Sequence, residues 1–125
     1  MALQESGEMY LETIYVLSLE NNAVRGIDIG EHMGFSKPSV SRALGLLRDE
    51  GLVKKDDAGF IRLTEAGEII AKRIYERHTV LSTLFMNLGV DEKTATEDAC
   101  RIEHYISETT FDAIKAHMKQ YGKDA

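Results

Sequence analysis

A chain of 125 residues with one cysteine and a net charge of −6 has room for one domain, or two small ones sharing a core, and can bury that core without disulfides. A lone cysteine excludes an internal disulfide framework and suits a reducing cytosol. No apolar run reaches the length of a membrane span, and Met1-Ala2-Leu3-Gln4-Glu5-Ser6 lacks a basic start before an apolar core, so neither a membrane segment nor an export signal is expected.

Residues 5–19 carry Tyr10, Leu11, Ile14, Tyr15 and Leu17 at close to helical spacing, with Met9 and Glu12 sharing a face beside that stripe. Glu20-Asn21-Asn22 should end this helix. Ala23-Val24-Arg25 can run extended. Gly26 can cap a short helix, Ile27 to Met33, closed by Gly34, with Phe35 plugging the core at the turn. Ser36 caps the next helix, Lys37 to Glu50, with Pro38 in its first turn. That helix offers Val40, Leu44 and Leu47 to a core with Ala43 alongside. Its other face presents Ser39, Ser41, Arg42 and Gly45.

Leu52 to Asp56 and Phe60 to Leu63 flank Asp57-Ala58-Gly59, which predicts a hairpin. Short helix, glycine turn, second helix and hairpin make a winged helix-turn-helix. Charge agrees weakly with a nucleic-acid partner. Residues 1–20 carry four acids and no bases, whereas residues 21–63 are the only stretch that is not negative, at +1. Ser36, Lys37, Pro38, Ser39, Ser41 and Arg42 form the best base-reading candidate, since hydroxyls and a guanidinium can bond base edges and Pro38 can meet thymine methyls. Lys54, Lys55 and Arg62 would follow the flanking phosphates.

Thr64 caps a long amphipathic helix, Glu65 to Leu88, whose apolar face is Ile69, Ile70, Ile74, Val80, Leu81, Leu84 and Phe85. That length suggests packing on a second subunit. Gly89 stops it. Asp91 caps a helix running to Ile106 with Ala95, Ala99, Ile102 and Ile106 as a narrow apolar stripe. Ser107 caps a last helix, Glu108 to Tyr121, burying Phe111, Ile114 and Met118. The tail 122–125 is expected to be loose. The fold is therefore mostly α: a winged helix-turn-helix domain over 1–63, then an all-helical domain over 64–125.

Chemistry concentrates at Cys100-Arg101-Ile102-Glu103-His104. On a helix, Cys100, Glu103 and His104 stand at i, i+3 and i+4 on one face, and each is an ordinary ligand for a divalent transition metal. The plain alternative is a buried cysteine beside a surface Glu–His pair. His32 and His117 fall on polar faces. His78 lies on the long helix, and singly it reads as structural, as Met9 reads as core and Glu12 as a solvated acid. Taken together, Met9, Glu12, His78, Cys100, Glu103 and His104 supply donors from three helices, as an all-helical metal cage requires. There is no glycine-rich phosphate loop and no His-Glu-x-x-His, so no enzyme is expected.

These residues resemble the diphtheria-toxin-repressor and manganese-transport-regulator family of metal-dependent repressors. The likeness runs from Glu8-Met9-Tyr10-Leu11-Glu12-Thr13-Ile14-Tyr15 to Asp98-Ala99-Cys100-Arg101-Ile102-Glu103-His104. It implies that the winged domain binds DNA, that the following helices dimerise, and that metal between the two activates DNA binding. Met9, Cys100, Glu103 and His104 look like the primary site of the iron-responsive branch. Glu12 and His78 match ligands of the manganese branch, and His78 also matches an ancillary ligand of the iron branch, whose other helical ligands fall on Ser82 and Thr96 here. The resemblance leads one to expect the shorter architecture of the manganese branch, without the iron branch's SH3-like domain.

A thioether and a thiolate favour Fe²⁺ over Mn²⁺, with Zn²⁺, Co²⁺ and Ni²⁺ also binding in vitro. The resemblance thus implies a cytoplasmic homodimer that represses metal-uptake genes from a pseudo-palindromic double-stranded DNA operator when loaded with Fe²⁺, or alternatively Mn²⁺. Two rivals share the residues: a metal-independent winged-helix regulator with Cys100 as redox sensor, and a metal-buffering or enzymatic protein using the same cage.

Overall fold

The computed structural model describes residues 5–121; the tail expectation for 122–125 lies outside them. Among the described residues are six helices and one hairpin: α1 (Glu5–Glu20), α2 (Gly26–Met33), α3 (Lys37–Asp49), β1 (Val53–Lys55), β2 (Ile61–Leu63), α4 (Glu65–Asn87), α5 (Glu92–Ile102) and α6 (Glu108–Tyr121). The chain divides into two compact units, one through Lys72 and one from Arg73, with the division inside α4. The mostly α, winged helix-turn-helix reading is borne out.

The first unit is built on an apolar core to which every element contributes: Leu11 and Ile14 of α1, Val24, Ile29 of α2, Val40, Leu44 and Leu47 of α3, Val53 and Ile61 of the hairpin, and Ala71 of α4. Removing this surface from water is the main stabilising term. Helix α3 starts where Ser36 Oγ accepts from Ser39 N–H, and Pro38 sits in the first turn, where its missing N–H leaves no bond unmade. Gly34 turns the chain between α2 and α3 in the left-handed region (φ 73°), its N–H bonding the Gly30 carbonyl at 2.8 Å. The hairpin is antiparallel, with Lys54 opposite Arg62 and Lys55 opposite Ile61. It is stitched to the segment before α2 by Ile61 N–H to the Val24 carbonyl, 2.7 Å. Asp56 organises the loop. Its carboxylate accepts the Ala58 and Phe60 N–H groups and the Arg62 Nε–H, and these bonds, that from Phe60 first, hold it below the usual carboxylate range.

The second unit buries Ile74 and Leu81 of α4, Ala95 and Ala99 of α5, and Phe111 of α6. Asp91 caps α5 by accepting the Thr94 N–H at 3.0 Å, and Ser107 caps α6 by accepting that of Thr110 at 3.1 Å.

Several expectations are corrected. Arg25, not Gly26, caps α2, because the Asp28 carboxylate reaches back to the Arg25 N–H at 2.8 Å and draws Gly26 into the first turn. Phe35 does not plug the core; it is 44% exposed, its ring tilted against Tyr10 at 6.0 Å. Ile69 leaves the apolar face of α4 and is 61% exposed. The strands are shorter than the apolar runs, and α3 and α4 end one residue early. Ile114 and Met118 are only half-buried. Most consequentially, α5 does not run to Ile106. It stops at Ile102, and Ile102 itself is exposed.

Candidate metal centre and nucleic-acid interface

Because α5 ends at Ile102, the expected i, i+3, i+4 face is not a helical face throughout. Glu103 is the C-cap, still in right-handed geometry (φ −56°, ψ −25°), and His104 lies in the turn beyond it. The buried stripe of α5 is Ala95, Ala99 and then Glu103, each 0% exposed, which aims the Glu103 carboxylate inward. Cys100 lies one residue off that stripe and is exposed, not buried.

The second unit brings three donors together. His78 of α4, Cys100 of α5 and Glu103 offer ligand atoms all within 4.8 Å of one another. Glu103 Oε2 lies 3.5 Å from His78 Nδ1, and its Oε1 lies 3.7 Å from His104 Nε2, with the His104 side chain almost fully buried. Among the described residues, neither oxygen of Glu103 has a hydrogen-bond donor, although the carboxylate is entirely out of water. A buried carboxylate in that condition is costly unless a cation compensates it. Ligand atoms bound at about 2.0–2.3 Å around one ion stand up to roughly 4.6 Å apart, so the observed separations suit a single-ion shell with small rotamer adjustments. On donor chemistry and spacing, this set fits a divalent transition metal. Met9 and Glu12 are half-buried on α1 in the first unit.

In the first unit, Ser36, Lys37, Pro38, Ser39, Ser41 and Arg42 are all exposed at the start of α3, as a base-reading surface needs. Leu46 joins the same face, 62% exposed, and was missed because an apolar residue reads as core. A groove of about 590 Å³ runs beside α3, between α2 and the hairpin. Its floor includes Val40, Leu44 and Ile61, and its basic lining residues are Arg25, Lys37, Arg48 and Lys55, against one acid, Glu31. Arg25 and Arg48 were also missed. The available signal was that Lys37, Ser41, Leu44 and Arg48 repeat at helical spacing. Lys54 and Lys55 are exposed, on alternate faces of β1. Arg62 is engaged with Asp56 at 2.7 Å, so it shapes the loop besides carrying charge.

A base contact and a phosphate contact respond differently to mutation. Arg42→Ala should cost about 1–3 kcal/mol of specific DNA affinity and relax sequence preference. Lys55→Ala should weaken all duplexes alike and lower the slope of log affinity against log salt by about one. Salt titrations on specific and random duplexes measure both.

A helix-turn-helix with a wing, followed by a helical unit carrying clustered His, Cys and Glu donors, defines a class of metal-responsive regulator. Comparison with known proteins narrows it. Residues 2–59 match the iron dependent repressor N-terminal DNA binding domain, and residues 64–125 match the iron dependent repressor metal binding and dimerisation domain. The chain is 33% identical to the transcriptional regulator MntR of Salmonella typhimurium over 93% of its length and 74% of the relative's. It is also 33% identical to MntR of Bacillus subtilis over 95% and 84%. An HTH-type regulator of Methanocaldococcus jannaschii is 31% identical over 95% of this chain and 97% of its own. Among solved structures, the manganese regulator SloR superposes with a TM-score of 0.81 at 30% identity, covering 95% of this chain and 55% of SloR. The chain thus spans about half the length of that protein. The chain belongs to the diphtheria-toxin-repressor and manganese-transport-regulator family of metal-dependent transcriptional regulators. Its relatives are regulators, not enzymes, and no described helix is long and apolar enough to cross a membrane.

Proposed function

We propose that this chain is a homodimeric, metal-activated repressor that binds a pseudo-palindromic double-stranded operator and controls metal-uptake genes. Residues 1–63 read DNA, with Ser36, Lys37, Pro38, Ser39, Ser41 and Arg42 at base edges and Lys54, Lys55 and Arg62 along the backbone. Arg25 and Arg48 extend that phosphate-facing surface, given their places in the basic groove. Residues 64–125 dimerise and hold the metal. The observation that carries the reading is Glu103, a wholly buried carboxylate beside two imidazoles and within reach of a thiol.

The ligand set is His78, Cys100, Glu103 and His104, with Met9 and Glu12 of α1 added on the family resemblance. A bound divalent ion supplies positive charge and a fixed ligand geometry. Glu103 and His104 orient from the turn after α5, and His78 from α4. Met9 and Glu12 belong to the helix that opens the DNA-reading unit, so ligation there changes how well the recognition helices of a dimer match grooves about 34 Å apart. Coupling of this kind is reciprocal: DNA tightens metal binding by the factor by which metal tightens DNA binding.

Fe²⁺ is the metal that the donors favour, because the Cys100 thiolate and the Met9 thioether are soft. Mn²⁺ is the second reading, favoured by relatives named MntR and by the likeness to the manganese regulator SloR. Zn²⁺, Co²⁺ and Ni²⁺ should also bind in vitro on the same chemistry. The double variant Cys100→Ala, His104→Ala should lose metal-dependent operator binding while sedimenting as the same dimer. Fe²⁺-induced DNA affinity persisting in that variant would disprove the site.

A further inference from the structure

Arg77 precedes His78 on α4, and its guanidinium reaches across to the turn that follows α5. Arg77 Nη1 donates to the Glu103 carbonyl at 3.2 Å and to the Ile106 carbonyl at 2.9 Å. The Glu103 carbonyl lies at the end of α5, where intrahelical partners run out and a cation is electrostatically favoured, and the Ile106 carbonyl lies in the turn before α6. The guanidinium carbon lies 5.5 Å from the centroid of the buried Phe111 ring on α6, which fixes its position from the far side. The turn itself has a short backbone hydrogen-bond set: Glu103 N–H to Ala99, and Tyr105 and Ile106 N–H to Ile102. The same turn supplies the Glu103 carboxylate to the His78 imidazole, 3.5 Å away. Of two adjacent residues of α4, Arg77 therefore holds the backbone of the turn and His78 faces the Glu103 carboxylate that the turn presents.

We propose that Arg77 is the positioning residue of the metal centre: it ends α5 at Ile102 and holds the 103–106 turn so that Glu103 and His104 face inward. The inference rests on the metal-site reading above. Arg77 does not ligate the ion; it acts through the backbone of the turn, at the carbonyl of the ligand Glu103 and at that of Ile106, which bracket His104. Partners that orient ligands in this way typically alter metal affinity by roughly 10–100-fold when removed.

The test uses Co²⁺ alone, titrated anaerobically into the full-length reduced protein and followed by its visible absorption. Arg77→Ala should keep the wild-type far-UV dichroism and dimer mass, bind Co²⁺ about tenfold more weakly or worse, and show a changed visible band envelope. Arg77→Lys, which keeps a cationic donor on a flexible stem, should recover most of the affinity and the wild-type envelope. A folded Arg77→Ala with Co²⁺ affinity within about threefold of wild type and the same envelope overturns the proposal. If Arg77→Ala does not fold, Arg77→Gln, which keeps a donor but cannot serve both carbonyls, is judged by the same two criteria. Wild-type protein that takes up no Co²⁺ sinks the metal reading itself, a separate result from an unaffected variant.

Discussion

Glu103→Gln should abolish metal-dependent operator binding and, in the same molecule, make the metal-free protein more stable. The side chain is 0% exposed, and among the described residues neither carboxylate oxygen has a hydrogen-bond donor. His78 Nδ1 lies 3.5 Å and His104 Nε2 3.7 Å from the carboxylate, both too long for good hydrogen bonds. An unsatisfied buried polar group costs about 1–3 kcal/mol and a charged one more. Glutamine has nearly the same shape, carries no charge, and brings an N–H₂ donor. The metal-free variant should therefore unfold at a higher temperature, by a stability gain of roughly 1–3 kcal/mol. The same change removes the anionic donor shared between the imidazoles, so metal uptake should fall by orders of magnitude. Thermal unfolding with and without chelator, paired with metal titration, measures both halves. A structural carboxylate would give the opposite pattern, with the variant destabilised and its metal response intact.

Gly67→Ala should disable the DNA-reading unit, although alanine is ordinarily the better helix former by about 1 kcal/mol. Gly67 is buried in the first turns of α4, and a Cβ there would collide with the carbonyl oxygen of Leu52, with the carbonyl carbon only 3.0 Å away. That carbonyl is in use, accepting the Thr64 N–H at 3.1 Å. Thr64 Oγ1 also donates to the Gly51 carbonyl at 2.7 Å and accepts the Gly67 N–H at 3.1 Å. The start of α4 is thus bolted to the turn between α3 and β1, and no flexible side chain can yield. Overpacking costs typically about 1–3 kcal/mol, and a clash with backbone rather than side chain puts this site at the upper end, which outweighs the propensity gain. The unfolding midpoint should fall by roughly 5–10 °C, with operator binding lost at temperatures where the wild type still binds. An unchanged midpoint by calorimetry would show that the close approach is not needed.

What the sequence disclosed, and what it did not, follows from the range of the interactions concerned. Ser36, Thr64, Asp91 and Ser107 were legible as helix starts because each cap bonds an N–H three residues on. The hairpin was legible for the same reason. The end of α5 was not. Ala95, Ala99, Ile102 and Ile106 keep a helical period beyond the true end, and that end is collected by Arg77, far earlier in the chain. Phe35 and Ile69 were assigned to the core because an apolar residue at the right period cannot declare that it faces outward. Arg62 read as a free basic residue until the hairpin register brought it to Asp56. The donors Cys100, Glu103 and His104 were found through a helical argument that holds only as far as Ile102. His78, Cys100 and Glu103 nevertheless come together, because the turn stays in right-handed geometry at Glu103.

Whether metal occupancy controls DNA affinity is decided by equilibrium DNA-binding titrations with Fe²⁺, Mn²⁺, Zn²⁺ or chelator. They are run anaerobically under reducing conditions on a duplex selected from a randomised pool by the metal-loaded protein. Fe²⁺ should tighten binding by roughly 5–150-fold, the usual span of coupling between two sites, with chelator reversing it and high salt weakening it. DNA affinity indifferent to metal and chelator but lost on peroxide treatment would contradict metal control and assign Cys100 to redox sensing instead.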